Sequence, residues 1–164
     1  MTDCIIRKVE DSDRRSVVEI FNYFVEHSFA AYPDKKAGDG FFEILKGICR
    51  SGVFYVIEVP GSGVIGFGLL RSHQPTEAFN RSSELTYFIL PGYNRQGWGT
   101  RLLKVIEDDA RSLGIETLLA NISSLNDQSL SFHAKNGFVE CGRFKHIGRK
   151  FGQDFDVIWM QKFL

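Results

Sequence analysis

The stretch PGYNRQGWGT (Pro91 to Thr100) lies between an apolar run and an amphipathic one and holds three glycines, a proline and an arginine. A turn needs one or two such residues, and backbone freedom is costly to fix. At a strand-to-helix junction this composition suits another task. The first N–H groups of a helix have no intrahelical partner and form the positive end of its dipole. Glycines there let an anion approach with no Cβ in the way, and Arg95 adds a positive charge. The physical reading is a pyrophosphate cradle running through Arg95, Gln96, Gly97, Trp98, Gly99 and Thr100. Two well-known cradles fit it poorly. Gly92 and Gly97 have Walker A spacing, but Trp98 and Gly99 stand where that loop needs Lys and Ser/Thr. A Gly-x-Gly-x-x-Gly dinucleotide fingerprint would put its third glycine at Leu102, although Glu116 sits at about the right distance for a ribose contact. That second reading is weakened and left open.

The elements that must position this loop are legible in the periodicity. Cys4 to Val9 predicts a short strand, followed by the helix-capping residues Asp11-Ser12-Asp13. Val17, Ile20, Phe21, Phe24 and Val25 recur at helical spacing, giving a helix to about Phe29. Tyr32 to Gly40 reads as a loop, and Phe41 to Ile48 as a second helix ending near Gly52. FYVIEV and VIGFGLL flank Pro60-Gly61-Ser62-Gly63, a hairpin signal. A polar loop, Arg71 to Arg81, leads to a strand over Glu84 to Leu90. After the glycines, Leu102, Leu103, Ile106, Ala110 and Leu113 line one helix face, with Gly114 as its C′ residue. Glu116 to Ile122 is a strand and Asn126 starts a short helix. The strands Phe138 to Phe144 and Phe155 to Phe163 then flank the turn-rich HIGRKFGQD. The order β-α-α-β-β-β-α-β-α-β-β implies an α/β (α+β) domain, a mixed sheet with helices on its faces.

Bulk properties narrow the partners. Lys+Arg and Asp+Glu both number 20, which offers no electrostatic footprint for nucleic acid or an anionic membrane. The start of the chain lacks a basic-then-apolar leader, and its apolar runs are too short to span a bilayer. Cys4, Cys49 and Cys141 are odd in number and outside any Cys-x-x-Cys, as in a reducing compartment. The four histidines lack metal-ligand spacing, so no metal is expected. These features predict a single cytoplasmic domain over residues 1–164.

Arg/Gln-x-x-Gly-x-Gly/Ala after a strand and opening a helix resembles the acetyl-CoA loop of the GNAT superfamily of N-acetyltransferases. Asn94 occupies the usual Arg/Gln position, so that contact is lost or passes to Arg95. The element order is similar to that fold, a mostly antiparallel twisted sheet, over nearly the whole chain. SSLNDQSLSFHAKNGF (Ser123 to Phe138) resembles the second GNAT signature. By that resemblance Asn126 contacts the pantetheine arm of CoA, beside its plain reading as a helix cap. His133 then falls where relatives place a tyrosine near the CoA sulfur; a lone helical histidine is otherwise structural. GRKFGQDFDVIWMQ (Gly148 to Gln161) resembles a motif of the phosphinothricin acetyltransferase-like group, with Asp154 where relatives have Trp. In SELTYFILP the resemblance makes Glu84 the general base. It also directs the backbone of Tyr87, Phe88 and Ile89 to the acetyl and pantetheine groups. FNYFVEHS, with Asn22 and Glu26, is similar to that group's substrate-side helix. RSHQPTEAFN departs from the group's Trp-Lys/Arg-x-x-x-Ala-Tyr pattern, with Phe79 at the Tyr position. Arg71, His73 and Tyr32 are candidates for the acceptor pocket and equally read as surface residues.

The implied reaction moves acetyl from acetyl-CoA to a primary amine, which must be neutral to attack. A lysine-like amine with pKa near 10.4 meets a handicap of roughly 4–5 kcal/mol at pH 7, against about 1–1.5 kcal/mol for an α-amine. One carboxylate serves the second more easily, which favours a small amino-acid-like acceptor. A backbone N–H of the cofactor strand would hold the developing oxyanion, and His133 would protonate or hydrogen-bond the departing thiolate. No covalent enzyme intermediate is required. A peptide or protein amine, a non-catalytic CoA-binding sensor and a dinucleotide-dependent oxidoreductase are the other readings. Homodimers are implied by the resemblance alone.

Overall fold

A computed structural model of the protein describes residues 4–93 and 96–164. The elements follow the expected order: β1 (Ile5–Lys8), α1 (Arg14–His27), α2 (Phe41–Ile48), β2 (Cys49–Val59), β3 (Gly63–Ser72), β4 (Ser82–Ile89), α3 (Trp98–Ser112), β5 (Thr117–Ser123), α4 (Asp127–Lys135), β6 (Val139–Lys150) and β7 (Gln153–Phe163). The strands form one sheet in the order β1-β2-β3-β4-β5-β7-β6. Every neighbouring pair is antiparallel except β4–β5. Among the described residues, no helix is long and apolar enough to cross a membrane.

Alternating side chains along the strands bury both faces of the sheet. On one face α1 and α2 cover an aromatic-rich cluster that includes Phe21, Phe42, Phe54, Phe67 and Phe88. On the other, α3 lays Leu102, Leu103, Ile106 and Ala110 on Ile57, Leu85, Leu118 and Ile122. Close contact there needs Gly68, where a Cβ would come within 2.9 Å of the Leu102 side chain.

Two boundaries differ from the sequence reading. The second helix stops at Ile48, and β2 begins at once, with Ser51 and Gly52 at φ of 49° and 71° inside a shift of register. Gly52 therefore marks a bulge in a strand, not the end of a helix. HIGRKFGQD is mostly strand as well. β6 runs to Lys150 with a register shift between Phe144 and Gly148, and only Phe151-Gly152 turns the chain. Gly148 is a strand residue because the Phe155 ring lies across the space a Cβ would fill.

That hairpin is tied to the far end of the chain. Lys150, 2 % exposed, donates from Nζ to the carbonyls of Ser28 (2.8 Å) and Ala31 (2.6 Å), just beyond α1. The loop from α1 to α2 is further held by Asn22, whose side-chain amide exchanges two hydrogen bonds with Ala37 (3.0 and 2.7 Å). Glu26 pairs with Lys36 at 2.9 Å. Asn22 and Glu26 thus shape the loop that carries Tyr32. Lys150→Met keeps the aliphatic stem but leaves two buried carbonyls without their donor, an expected loss of about 2 kcal/mol. Thermal melting should show it as a fall of roughly 4–8 °C in Tm; an unchanged Tm would mean that the carbonyls are satisfied by water.

Candidate active site

The site begins where two strands part. β4 and β5 pair only from Ser82–Thr117 to Glu84–Leu119. Beyond that point β4 keeps β3 on one side, while β5 continues along β7 as far as Ser123. Leu90 donates its N–H to Ile65 of β3, and the Phe88 carbonyl oxygen lies beside Gly66 of the same strand. Because backbone groups alternate sides along a strand, the N–H and C=O of Tyr87 and Ile89 open into the wedge. Phe88 differs from its neighbours. Its backbone faces β3 and its ring packs between Phe21, Phe24 and Phe67, so in this structure Phe88 is a core residue that contributes to the site only through the strand it stiffens.

Both helices on the α3 face start at this end of the sheet. Gly97, at φ 85°, precedes α3 in a left-handed conformation that a side chain strains, and the space over its Cα is open. Its carbonyl accepts from the Arg101 N–H at 3.0 Å, and no side chain among the described residues caps the helix. The N–H groups of Trp98, Gly99 and Thr100 are thus offered outward. Gly99 lets the helix approach the wedge: a Cβ would meet the Phe132 ring at 3.0 Å and Ile89 at 3.4 Å. The Trp98 ring is buried in the core, its Nε1 donating to Gln96 Oε1 at 3.2 Å. Gln96 in turn donates to the Gly92 carbonyl, so its side chain braces the loop. Arg95 and Asn94 lie outside the described residues. The set fits a pyrophosphate and its pantetheine arm: free helix N–H groups over open space, then unpaired strand backbone leading inward.

Asn126 caps α4, its Oδ1 accepting from the Ser129 N–H at 3.2 Å. The side-chain Nδ2 has no partner among the described residues. His133 is 2 % exposed, with Nδ1 2.8 Å from the Ser129 carbonyl. A carbonyl only accepts, so Nδ1 carries the hydrogen and Nε2, unpartnered, is a bare lone pair. Burial lowers the pKa of the ring to about 4. The neutral ring has no proton on Nε2, so its expected role as a proton donor narrows to accepting a hydrogen bond.

Across the sheet from α3, on the side of α1 and α2, lies a cleft of about 610 Å³. Its walls come from Tyr32, Arg71, Glu84, Asn121, Phe144, Phe155 and Trp159, among others. Tyr32 stacks on Phe155 with centroids 5.6 Å apart, and Phe155 is the ring that rests on Gly148. Glu84, at the root of the wedge, is 5 % exposed, ion-paired with Arg71 and 2.8 Å from His73 Nδ1. Sequence reasoning had Tyr32, Arg71 and His73 only as candidates, and missed Asn121, Phe144, Phe155 and Trp159. Asn121 and Phe144 lie in no motif, Phe155 and Trp159 fall at unspecified positions of the C-terminal one, and the four meet only through the strand order β5-β7-β6.

The sequence profile of the Acetyltransferase (GNAT) family matches residues 17–138, and the chain belongs to that family. L-amino acid N-acyltransferase MnaT of Escherichia coli strain K12 is 26% identical to it over 157 residues, 95% of this chain and 91% of the relative. Phosphinothricin N-acetyltransferase of Alcaligenes faecalis is 27% identical over 161 residues, 97% of this chain and 82% of the relative. The structure of yncA from Salmonella typhimurium, solved with its cofactor acetyl-CoA, matches with a TM-score of 0.87 at 26% identity, covering 98% of this chain and 94% of that one. The motif resemblance to the phosphinothricin acetyltransferase-like group and the expected mixed, mostly antiparallel sheet both hold.

The buried neutral His133 makes stability depend on pH. Its folded pKa, about 4, lies below the unfolded value near 6.5. Its contribution is therefore complete above pH 6.5 and is lost as pH falls toward 4. Between pH 7 and 4.5 the loss is about 2 kcal/mol. Urea unfolding of the wild type and of His133→Phe should show a shallower acid dependence in the variant by that amount; parallel curves would place the acid sensitivity elsewhere.

Proposed function

We propose that the chain transfers the acetyl group of acetyl-CoA to the primary amine of a small amino-acid-like acceptor. The observation that carries this reading is the wedge between β4 and β5. It joins the open N-terminus of α3 on one face to the cleft beside Glu84 on the other. Acetyl-CoA supplies an activated acetyl group, at whose acyl carbon the amine nitrogen displaces sulfur. In this reading the N–H groups of Trp98, Gly99 and Thr100 hold the pyrophosphate, and Arg95 is assigned to it from the sequence. Asn126 Nδ2 and the backbone of Tyr87 and Ile89 hold the arm, and one of those strand N–H groups receives the charge that develops on the carbonyl oxygen. Glu84 marks the point where the acceptor's ammonium is deprotonated. The aromatic walls suit an acceptor with an apolar side chain, and the names of the two relatives, an L-amino acid acyltransferase and a phosphinothricin acetyltransferase, support an amino-acid-like one. Self-association belongs to the same reading, supported by the edge strand β6, which leaves Val139, Phe144 and Ile147 more than half exposed. Light scattering should give twice 18.6 kDa, and a mass of one chain would exclude the dimer.

Acetyl-CoA at about 100 times its Kd should add roughly 2.7 kcal/mol and raise Tm by about 5–10 °C, with NAD⁺ and ATP as silent controls. Gly97→Val should abolish the shift while the variant stays folded, since the side chain both strains φ 85° and fills the open space. A shift with NAD⁺ or ATP in place of acetyl-CoA, or an undiminished shift in the variant, would refute the cradle. Release of free CoA across a panel of amino acids, a peptide with a free N-terminus and a polyamine then identifies the acceptor.

A further inference from the structure

Deprotonation at Glu84 leaves one question: which atom takes the proton. Arg71 on β3 and Glu84 on β4 are direct cross-strand partners, and the Arg71 guanidinium pairs with Oε2 of the carboxylate. The other oxygen, Oε1, faces His73 Nδ1 at 2.8 Å. Both oxygens are thus engaged on a side chain that is almost fully buried. His73 lies one residue past the end of β3 and is more open, its side chain 26% exposed. The ring is held edge-on by Phe79 and by Trp159, a wall of the cleft, with centroids 5.9 Å away in each case. A carboxylate only accepts, so the hydrogen between them sits on Nδ1, and in the neutral ring Nε2 is left as a lone pair. Nε2 has no hydrogen-bond partner among the described residues.

A carboxylate that fixes an imidazole through Nδ1–H, leaving Nε2 as the base, is the working pair of the Ser-His-Asp triad. We propose that His73 Nε2 accepts the proton of the acceptor amine, with Glu84 as the group that orients His73 and Arg71 as the group that holds Glu84. This rests on the amine-acceptor reading above. In the step, an N–H bond of the ammonium breaks, its electron pair stays on nitrogen and an Nε2–H bond forms. The imidazolium, facing the Glu84 carboxylate, then gives the proton to water through its exposed edge. Among the described residues, the charged groups facing His73 are Glu84 from β4 and, through it, Arg71 from β3; Phe79 and Trp159 are uncharged. Counted back from Phe79, His73 takes the place of the Trp in the group's Trp-Lys/Arg-x-x-x-Ala-Tyr pattern.

His73→Asn separates the two bases, because Asn can still donate to Oε1 but has no basic nitrogen. A fall of about 10²–10³-fold in kcat/KM is expected, with acetyl-CoA affinity by calorimetry within about twofold. Imidazole in the buffer should restore turnover to His73→Ala. A second readout needs no turnover: ¹⁵N NMR of the histidine rings in protein free of acetyl-CoA should find His73 as the Nδ1–H tautomer, and Glu84→Gln should shift that signal. Wild-type kcat/KM in His73→Asn, or an Nε2–H tautomer at His73, overturns the proposal and returns the proton to Glu84 while leaving the amine-acceptor reading intact. A wild-type protein that binds acetyl-CoA yet acetylates no amine overturns both.

Discussion

β4 and β5 pair over three residues and then separate, and the rest of the site follows from that separation. Unpaired backbone in the middle of a sheet is costly, because each buried N–H or C=O without a partner forfeits a hydrogen bond. The gap persists because β4 is held by β3 up to Ile89 and β5 by β7 up to Ser123. The two strands are parallel, so both helices that follow them start at the open end, and two positive helix ends flank one gap. Glu84 is the last residue of β4 inside the pairing. It therefore sits at the base of the gap, on the face away from α3.

The two faces have different characters. The α3 face offers backbone: N–H groups at Trp98, Gly99 and Thr100 and strand groups at Tyr87 and Ile89, with glycines wherever a side chain would intrude. Backbone recognition suits a ligand whose identity is fixed. The opposite face offers side chains, rings from Tyr32, Phe155 and Trp159 in one cleft with Arg71 and Glu84, and His73 between Glu84 and Trp159. A buried carboxylate is tolerable only when paired, and Arg71 meets that need from directly across the ladder. The charge at the base of the gap is set by sheet register, while the shape of the cleft is set by rings.

Element order and the glycine loop could be read from the sequence because they depend on local spacing. Leu102, Leu103, Ile106 and Ala110 announce a helix, and the glycines before it announce its open start. The C-terminal hairpin misled, because HIGRKFGQD looks like a turn until Phe155 is seen to cover Gly148 from the next strand. Gly52 misled for a related reason, since a strand bulge and a helix stop use the same residue. Of the cleft, the sequence offered Glu84, Tyr32 and Arg71 but not the walls that close it. Asn121, Phe144 and Trp159 belong to three strands whose spatial order differs from their order in the chain, and no local pattern encodes that exchange. His73 looked like a loop residue because its partner, Glu84, is found only through the β3–β4 register.

Lys150 bonds to the Ala31 carbonyl across 119 positions of sequence, and with it the ring of Tyr32 reaches Phe155. The two strands of the wedge and both helix starts, by contrast, lie in the continuous stretch between Gly63 and Lys135, and only β7, which holds β5, comes from outside it. Contacts so distant in sequence carry a large loop-closure cost and form late. The molecule therefore joins contacts of two ranges. On the proposed reading, its grip on the donor comes mostly from neighbouring segments, while the shape of the acceptor cleft depends on closure between the beginning and end of the chain. Loosening that closure would blur what the protein accepts before it weakened what it draws the acetyl group from.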